Sequence, residues 1–289
     1  MINDNLKHIS EETIFSDRRM PIESNTLGPY LRLVTAQTTN PPIRKVAQNG
    51  GAVTGLLTFA LEKKIIDGAI VSVVSKEKPF CPVPILATSV QEIFESAGTR
   101  YTYSPNVQAL SEATKQGVKA VAFVGTPCQV AAVRRMREKG LDCTRPVKFL
   151  IGLMCSEAFT YDDLMVKHVQ NKLGINLHSV KRTKIVADKM AIITGEGEVA
   201  VPLVTIKKYA RKACERCRDF SSELADISVG GLGLGDWTLV IVRTDIGEQI
   251  FAEAEKAKAL ITTPVRMDDA PVKLLLRLSR KKRDREGKP

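Results

Sequence analysis

The chain is 289 residues long and 44% hydrophobic, enough to bury a sizeable core in one large domain or a main domain plus a smaller one. Charged residues make up 26%, near the globular norm, which excludes wholesale disorder. The net charge of +11 invites an anionic ligand or partner. With 5% aromatics and no helix-turn-helix, zinc-finger or RNA-binding signature, nucleic acid is not the expected partner.

The start, MINDNLKHISEETIFSDRR, has no apolar run of the kind a secretory signal needs. Residues 1–28 read as a loosely structured lead-in. No stretch reaches the ~18 apolar residues of a membrane helix. The nearest, LLTFALEKKIIDGAIVSVV, is interrupted by charges and a glycine, and a cytoplasmic protein is expected.

From there the chain alternates strands and helices. Gly50-Gly51 opens a helix, VTGLLTFALEKK, with Leu56, Leu57, Ala60 and Leu61 at helical spacing. The β-rich run DGAIVSVVS follows. SVQEIFESAG is a short helix closed by Gly98. SPNVQALSEATKQG is another, with Ser104 as N-cap, Pro105 at the first helical position and Gly117 at the end. KAVAFVG is a buried-type strand running into GTPC and the helix QVAAVRRMREKG. PVKFLIGLMC repeats the strand-to-loop pattern. Thr160, with Asp163 three residues on, opens the helix YDDLMVKHVQNKLG in an acidic variant of the capping box. Residues 177–206 read as antiparallel strands around Gly195-Glu196-Gly197. The strand LVIVRT and the helix GEQIFAEAEKAKALI come last. The pattern predicts an α/β fold: a mixed sheet core with flanking helices, and the 177–206 segment adding an antiparallel edge. The Arg/Lys-rich end from Arg277 onward reads as a solvated, frayed tail.

Six cysteines in a chain with no visible export signal point to metal or redox chemistry rather than structural disulfides. Cys214-Glu-Arg-Cys217 is a CxxC, a spacing that lets two thiolates reach one metal or one cluster face. Its highly charged flanks argue against thioredoxin-like exchange. Cys128 and Cys155 each sit where an apolar strand ends, at the kind of edge where α/β sites are built. Cys128 also begins a helix, whose dipole favours an anionic ligand. Together the four make a Cys₄ donor set. Spacing leaves zinc and an iron–sulfur cluster both open; the lack of a second CxxC leans to the cluster. Cys81 and Cys143 lie in Pro-flanked loops and read as non-ligands.

Three glycine-rich segments accompany the cysteines. QNGGAVTG places free N–H groups at a helix start, an anion site suited to a dinucleotide pyrophosphate. It is neither GxGxxG nor a P-loop, and a plain turn before a core helix explains it equally. ESAGTRYTYSP offers a second backbone clamp. SVGGLGLGDWT holds four glycines in six residues, which permits close backbone approach to a flat cofactor.

AQNGGAVTGLLTFALEKKIIDGAIV, FESAGTRYTYSPNV, GTPCQ, IGLMCSEAFTYDDL, ACERCRDFSSELADISVGG and GDWTLVIVRTDIGEQIF occur in that order. Across roughly residues 30–260 the chain resembles the β subunit of the coenzyme F420-reducing hydrogenase, within the F420 hydrogenase/dehydrogenase β-subunit family. The resemblance implies an iron–sulfur flavoprotein. One catalytic domain, 29–265, would lie between the lead-in and a basic tail, 266–289. It would bind FAD and one [4Fe-4S] cluster, with coenzyme F420 as substrate. It assigns the cluster to Cys128, Cys155, Cys214 and Cys217. It assigns flavin contacts to Gly50, Gly51, Val53 and Thr54, to Gly98, Thr99 and Tyr101, and less directly to Thr126, Gly230, Gly231 and Trp237. It implies a hetero-oligomer with a nickel-iron large subunit and a small iron–sulfur subunit. Electrons from hydrogen oxidation would pass through the cluster to FAD and on to F420 as hydride, with no side chain as general acid or base. The ferredoxin-type CxxCxxC clusters of some dehydrogenase relatives are missing. Formate-dehydrogenase or glutamate-synthase-type partners are the alternative donors. A zinc-stabilised, non-catalytic α/β protein binding an acidic partner is the rival of another class.

Overall fold

The structure is a computed structural model and describes residues 24–285. Its strands, in chain order, are β1 (Arg32–Thr38), β2 (Gly68–Val74), β3 (Pro82–Ala87), β4 (Val121–Gly125), β5 (Val147–Leu153), β6 (Arg182–Val186), β7 (Lys189–Ile193), β8 (Glu198–Pro202), β9 (Ile227–Gly230), β10 (Thr238–Val242) and β11 (Leu260–Pro264). Eight of them form the central sheet, in the order β11-β1-β10-β9-β5-β4-β2-β3, and β6-β7-β8 form a second sheet.

The helices, in chain order, are α1 (Ser24–Leu27), α2 (Pro41–Val46), α3 (Ala52–Glu62), α4 (Val90–Glu95), α5 (Leu110–Lys115), α6 (Pro127–Glu138), the π-type α7 (Asp162–Lys172), α8 (Leu203–Ile206), α9 (Asp245–Lys256) and α10 (Ala270–Arg283). Among the described residues no helix is long and apolar enough to cross a membrane.

The strand period of two decides how the layers stack. Along β4, Ala122 and Val124 enter the core layer shared with α3 and α9, while Val121 and Phe123 enter the opposite layer with α5 and α6. Both faces of the sheet are therefore covered, and its central strands read as continuous apolar runs.

β2, β4, β5 and β9 run parallel to one another. β10 is antiparallel to β9, and β1 to β10, so β1 points the same way as β9. The carboxyl ends of β1, β9, β5, β4 and β2 accordingly share one edge, where parallel-sheet sites form.

Four expectations are corrected. Residues 177–206 do not extend the main sheet. Met190, Ile192 and Val201 bury their apolar face against Leu164, Met165 and Val169 of α7, so these strands form a sheet of their own. The main sheet's antiparallel edges are β3 and β11 instead. Ser104 is not a helix cap: its hydroxyl donates to Asn106 Oδ1 at 2.7 Å, and a short 3₁₀ turn (Asn106–Ala109) precedes α5. The basic end is not a frayed tail as far as residue 285. It is α10, with Val272 and Leu275 fully buried in a layer shared with Leu27, Phe220, Leu239 and Ile241. The helix stripe that does this lies within a segment whose overall charge hid it.

A capping box of Ser89 and Glu92 forms at α4, where the sequence reading named none. The cap expected at Thr160 does not form: no side chain caps α7, and the Thr160 hydroxyl is spent on the Asp163 side chain, donating to Oδ2 at 2.6 Å. Of the predicted lead-in, residues 1–23 lie outside the described residues, while Leu27 is fully buried.

Candidate cofactor site

Cys128 and Cys155 leave adjacent parallel strands at the same edge. Cys128 is the second residue of α6, directly after β4, and Cys155 follows β5 by two residues. The CxxC pair lies in and just after a 3₁₀ turn, Lys212–Arg216, leading into β9, the next strand along. Backbone bonds lock these pieces together. Cys155 N–H donates to Phe220 O at 3.0 Å, and Arg211 N–H to Ala158 O at 2.9 Å. Ala158 N–H points at Cys214 Sγ, 3.4 Å away, the kind of N–H···S contact that stabilises a thiolate ligand.

Cys155 is half-buried as a residue, but its thiol lies deep. Burial pushes it up to about 12, and the neighbouring Cys214, Cys128 and Cys217 add to the rise, while Lys282 opposes it. Burial also raises Cys214, with Cys128 and Cys217 contributing. Cys155 and Cys214 therefore both lie within electrostatic reach of Cys128 and Cys217. Cys81 lies in the turn before β3, and Cys143 packs against the α5–α6 layer. Among the described residues no group of three or more His, Cys, Asp or Glu side chains converges tightly enough to hold a single metal ion.

An ionic layer underlies the cysteines. Arg134 of α6 pairs with Asp226 at 2.8 Å, both buried, tying the helix that carries Cys128 in its first turn to the start of β9. Asp226 also accepts from Leu150 N–H of β5 at 2.7 Å and from Thr244 Oγ1 at 2.7 Å. Arg243, 1% exposed, donates to Leu27 O, Pro29 O, Ser221 O and Ser228 Oγ. Burial lowers Arg243 to about 10. Burial, then the nearby Asp219 carboxylate, raises Glu223 to about 7, against the opposing charges of Arg283 and Arg243. Burial raises Asp219 as well.

The glycine-rich segments meet one another farther along the edge. Gly50 sits where an added Cβ would lie 2.5 Å from Ala36 O and 2.9 Å from Asp236 O. Gly51 precedes α3 with φ 70°, and no side chain caps that helix, leaving its first N–H groups available to an anion. Val53 packs against the core and Thr54 is buried.

Gly98 (φ 88°) lies beside Val46 O. Gly231 lies against the Asn49 side chain, whose Nδ2 donates to Gly235 O at 2.8 Å. Gln37 Nε2 reaches Asp236 O at 2.7 Å, placing the Trp237 loop over the end of β1. A cleft of about 620 Å³ opens here, lined among others by Gln37, Arg44, Lys45, Asn49, Phe94 and Asp236.

Several of the residues assigned to the flavin also make contacts within the chain. Tyr101 OH accepts from Ile185 N–H at 3.1 Å and Thr99 O accepts from Thr183 Oγ1 at 3.4 Å; both hold β6 of the small sheet. Burial raises Tyr101. Thr126 Oγ1 lies 3.3 Å from Cys128 Sγ, so it belongs to the cysteine site. Gly230 is pressed against Met154, where a Cβ would meet Sδ at 2.5 Å. Gly230 and Gly231 are thus required by the chain's own packing, whereas Gly233 and Gly235, with positive φ and open space around them, face outward.

Sequence reading missed Arg182, whose guanidinium donates to Ala47 O at 2.6 Å and Gln48 O at 2.8 Å. It also missed the contacts that Lys282 and Arg285 make with the cysteine segments. None of the three has a local signature, because each partner is distant in sequence.

The C-terminal model of the coenzyme F420 hydrogenase/dehydrogenase beta-subunit family matches residues 118–268, and its N-terminal companion matches residues 33–111. The coenzyme F420 hydrogenase subunit beta of Methanothermobacter thermautotrophicus is 36% identical over 267 residues, covering 91% of this chain and 94% of the relative. The same-named protein of Methanosarcina barkeri is 37% identical over 273 residues, covering 92% and 93%. A chain of the solved F420-reducing NiFe hydrogenase complex from Methanosarcina barkeri superposes with a TM-score of 0.86 at 35% identity, covering 93% of this chain and 92% of that one. The chain belongs to the coenzyme F420 hydrogenase/dehydrogenase beta-subunit family.

Proposed function

We propose that this chain is the beta subunit of a coenzyme F420-reducing hydrogenase, holding one [4Fe-4S] cluster on Cys128, Cys155, Cys214 and Cys217 and FAD in the cleft beside the Gly50-Gly51 turn. The observation that carries this reading is the contact between the two sites. Met154, the residue before Cys155, packs on Gly230, and Gly231 packs on Asn49, the residue before Gly50. A one-electron site and a dinucleotide-type cleft therefore adjoin on one sheet edge. The donor set suits an iron–sulfur cube: its thiolates stand around a group wider than one ion and need not touch, whereas a tetrahedral zinc draws its sulfurs in with bonds of about 2.3 Å.

When bound, the cluster and flavin together turn single electrons into the hydride that a deazaflavin accepts. The protein's own part is placement. Cys128, Cys155, Cys214 and Cys217 supply the thiolates, and Ala158 N–H steadies Cys214. The amides of Gly51 to Thr54 are disposed to take a pyrophosphate, with the backbone at Gly98 and Thr99 and the Trp237 loop closing the cleft. Arg44 and Lys45 at its mouth suit the phosphate and oligoglutamate tail of F420. No side chain is assigned as a general acid or base. The partners are a nickel-iron large subunit and a small iron–sulfur subunit, in the cytoplasm.

The test is anaerobic purification of the chain, followed by metal and flavin analysis. About four irons per chain with FAD absorption is expected, together with hydrogen-dependent F420 reduction once the co-purifying subunits are present. Zinc without iron overturns the cluster, and a colourless protein overturns both cofactors.

A further inference from the structure

We propose that Lys282 is a built-in counter-charge for the cysteine site, a positioning residue of the C-terminal helix that raises the reduction potential of the cluster. The inference rests on the cluster reading above.

The helix itself makes the case. Val272, Leu275, Ser279 and Lys282 follow one another at spacings of three and four along the inward stripe of α10 and are all buried. Helical periodicity asks for an apolar residue at the last of these positions, and the chain places a lysine there. Of the helix's other late basic residues, Arg277, Arg280 and Lys281 are exposed, and Arg283 is half-buried and paired with Glu223.

Lys282 is 3% exposed. Its Nζ donates to the carbonyl of Cys155 at 2.5 Å, and among the described residues it forms no ion pair. Asp219, whose charge Lys282 does feel, and its neighbour Glu223 make their direct hydrogen bonds to other groups. Asp219 accepts from the N–H groups of Ser222 and Glu223, and Glu223 accepts from Arg283. A buried ammonium with no directly paired anion is costly. The group that removes this cost lies on the far side of the same peptide: four thiolates around an iron–sulfur cube form a dianion when oxidised and a trianion when reduced.

Two further contacts fasten the end of the chain over the same site. Arg285 Nη1 donates to Cys214 O at 2.6 Å, and Arg218 Nε donates to Arg285 O at 3.2 Å. The last described turn of the chain thus touches the backbone of one cysteine from each half of the donor set. A fixed cation favours the more negative redox state, so its effect is to make the cluster easier to reduce.

The experiment is an EPR-monitored redox titration of the full chain, purified anaerobically, for the wild type, Lys282→Gln and Lys282→Arg, with iron counted in each. Lys282→Gln is expected to shift the oxidised-to-reduced ratio at a given potential about tenfold toward the oxidised form, a fall of ~59 mV for one electron. Lys282→Arg keeps the charge and is expected to stay at the wild-type value. If glutamine prevents cluster assembly while arginine permits it, the requirement for positive charge stands. Equal behaviour of the two variants, whether both unshifted, both shifted or both iron-free, overturns the proposal, because side-chain shape rather than charge is then what matters. A wild-type chain containing zinc or no iron overturns the cluster reading itself, and this inference with it.

Discussion

At the β4–β5 part of the sheet edge the proposed site rests on four cysteine side chains; at the β1–β10 part the proposed cleft depends on close packing around glycines as well as on the side chains that line it. The cysteines are spaced across three chain segments, and each is needed for the chemistry of its sulfur. The cleft is shaped by close approach at glycines, with Gly50 against Ala36 O and Gly231 against the Asn49 side chain. A site made of reactive side chains tolerates variation in the chain around it. A site made of close approach depends on every neighbour that sets the spacing. The two ends should therefore fail differently, and separately, when perturbed.

The sharpest separation is expected from Cys128→Ser. It should take the iron from about four per chain to near none, while Cys81→Ser keeps the full complement. Equal loss in both would break the assignment of ligands. At the other end, Thr54→Trp puts a large ring into a buried position at the start of α3, and it should leave an iron-loaded chain without bound FAD. A yellow, flavin-loaded Thr54→Trp chain would move the flavin away from the α3 start.

Smaller effects probe the supports rather than the sites. Arg134→Leu leaves the buried Asp226 carboxylate without its partner. It should lower unfolding stability by about 3–5 kcal/mol, read by denaturant titration, and loosen the cysteine end first. Arg182→Ala removes a half-buried clasp between the small sheet and the 47–48 loop. A loss of about 1–3 kcal/mol, with weaker FAD retention and unchanged iron, is expected; falling iron content instead would mean that the two ends are not separable.

The mildest test uses pH. Glu223 is raised from its usual 4.5 to about 7 in the fold, so the folded state binds that proton more tightly than the unfolded chain. Stability should then fall as pH rises from about 4.5 to 7 and level off above it. Glu223→Gln should flatten this decline in a series of thermal midpoints.

The same contrast explains what could be read from the sequence. Cysteine chemistry is specific to residue type, so Cys128 and Cys155 can be placed at strand ends from GTPC and GLMC alone, and the parallel pairing of β4 and β5 follows the expected edge. Glycine reports only that space is short. Whether the neighbour is a cofactor or the protein's own chain depends on partners far away in sequence, which is why Gly230 and Gly231, expected to face a ligand, are packed against Met154 and Asn49. Tyr101, assigned to the flavin by resemblance, also holds Ile185 of a sheet expected elsewhere. α10 is obscured because its apolar stripe is narrow and the rest of the helix is strongly basic.

The placement of β1 has a consequence for how the molecule is made. Arg32 pairs with Val242 on one side and Thr38 with Leu260 on the other, so an early strand is flanked by two of the last. While the chain is being synthesised, both edges of β1 stay unpaired until residues 238–264 have left the ribosome. The QNGG segment that follows β1 has no opposite wall until then. Closure of such distant pairings is slow, and open strand edges invite association with other chains. The cleft is accordingly among the last parts of the protein to take shape, and a chain that stops short of β10 leaves β1 with neither neighbour.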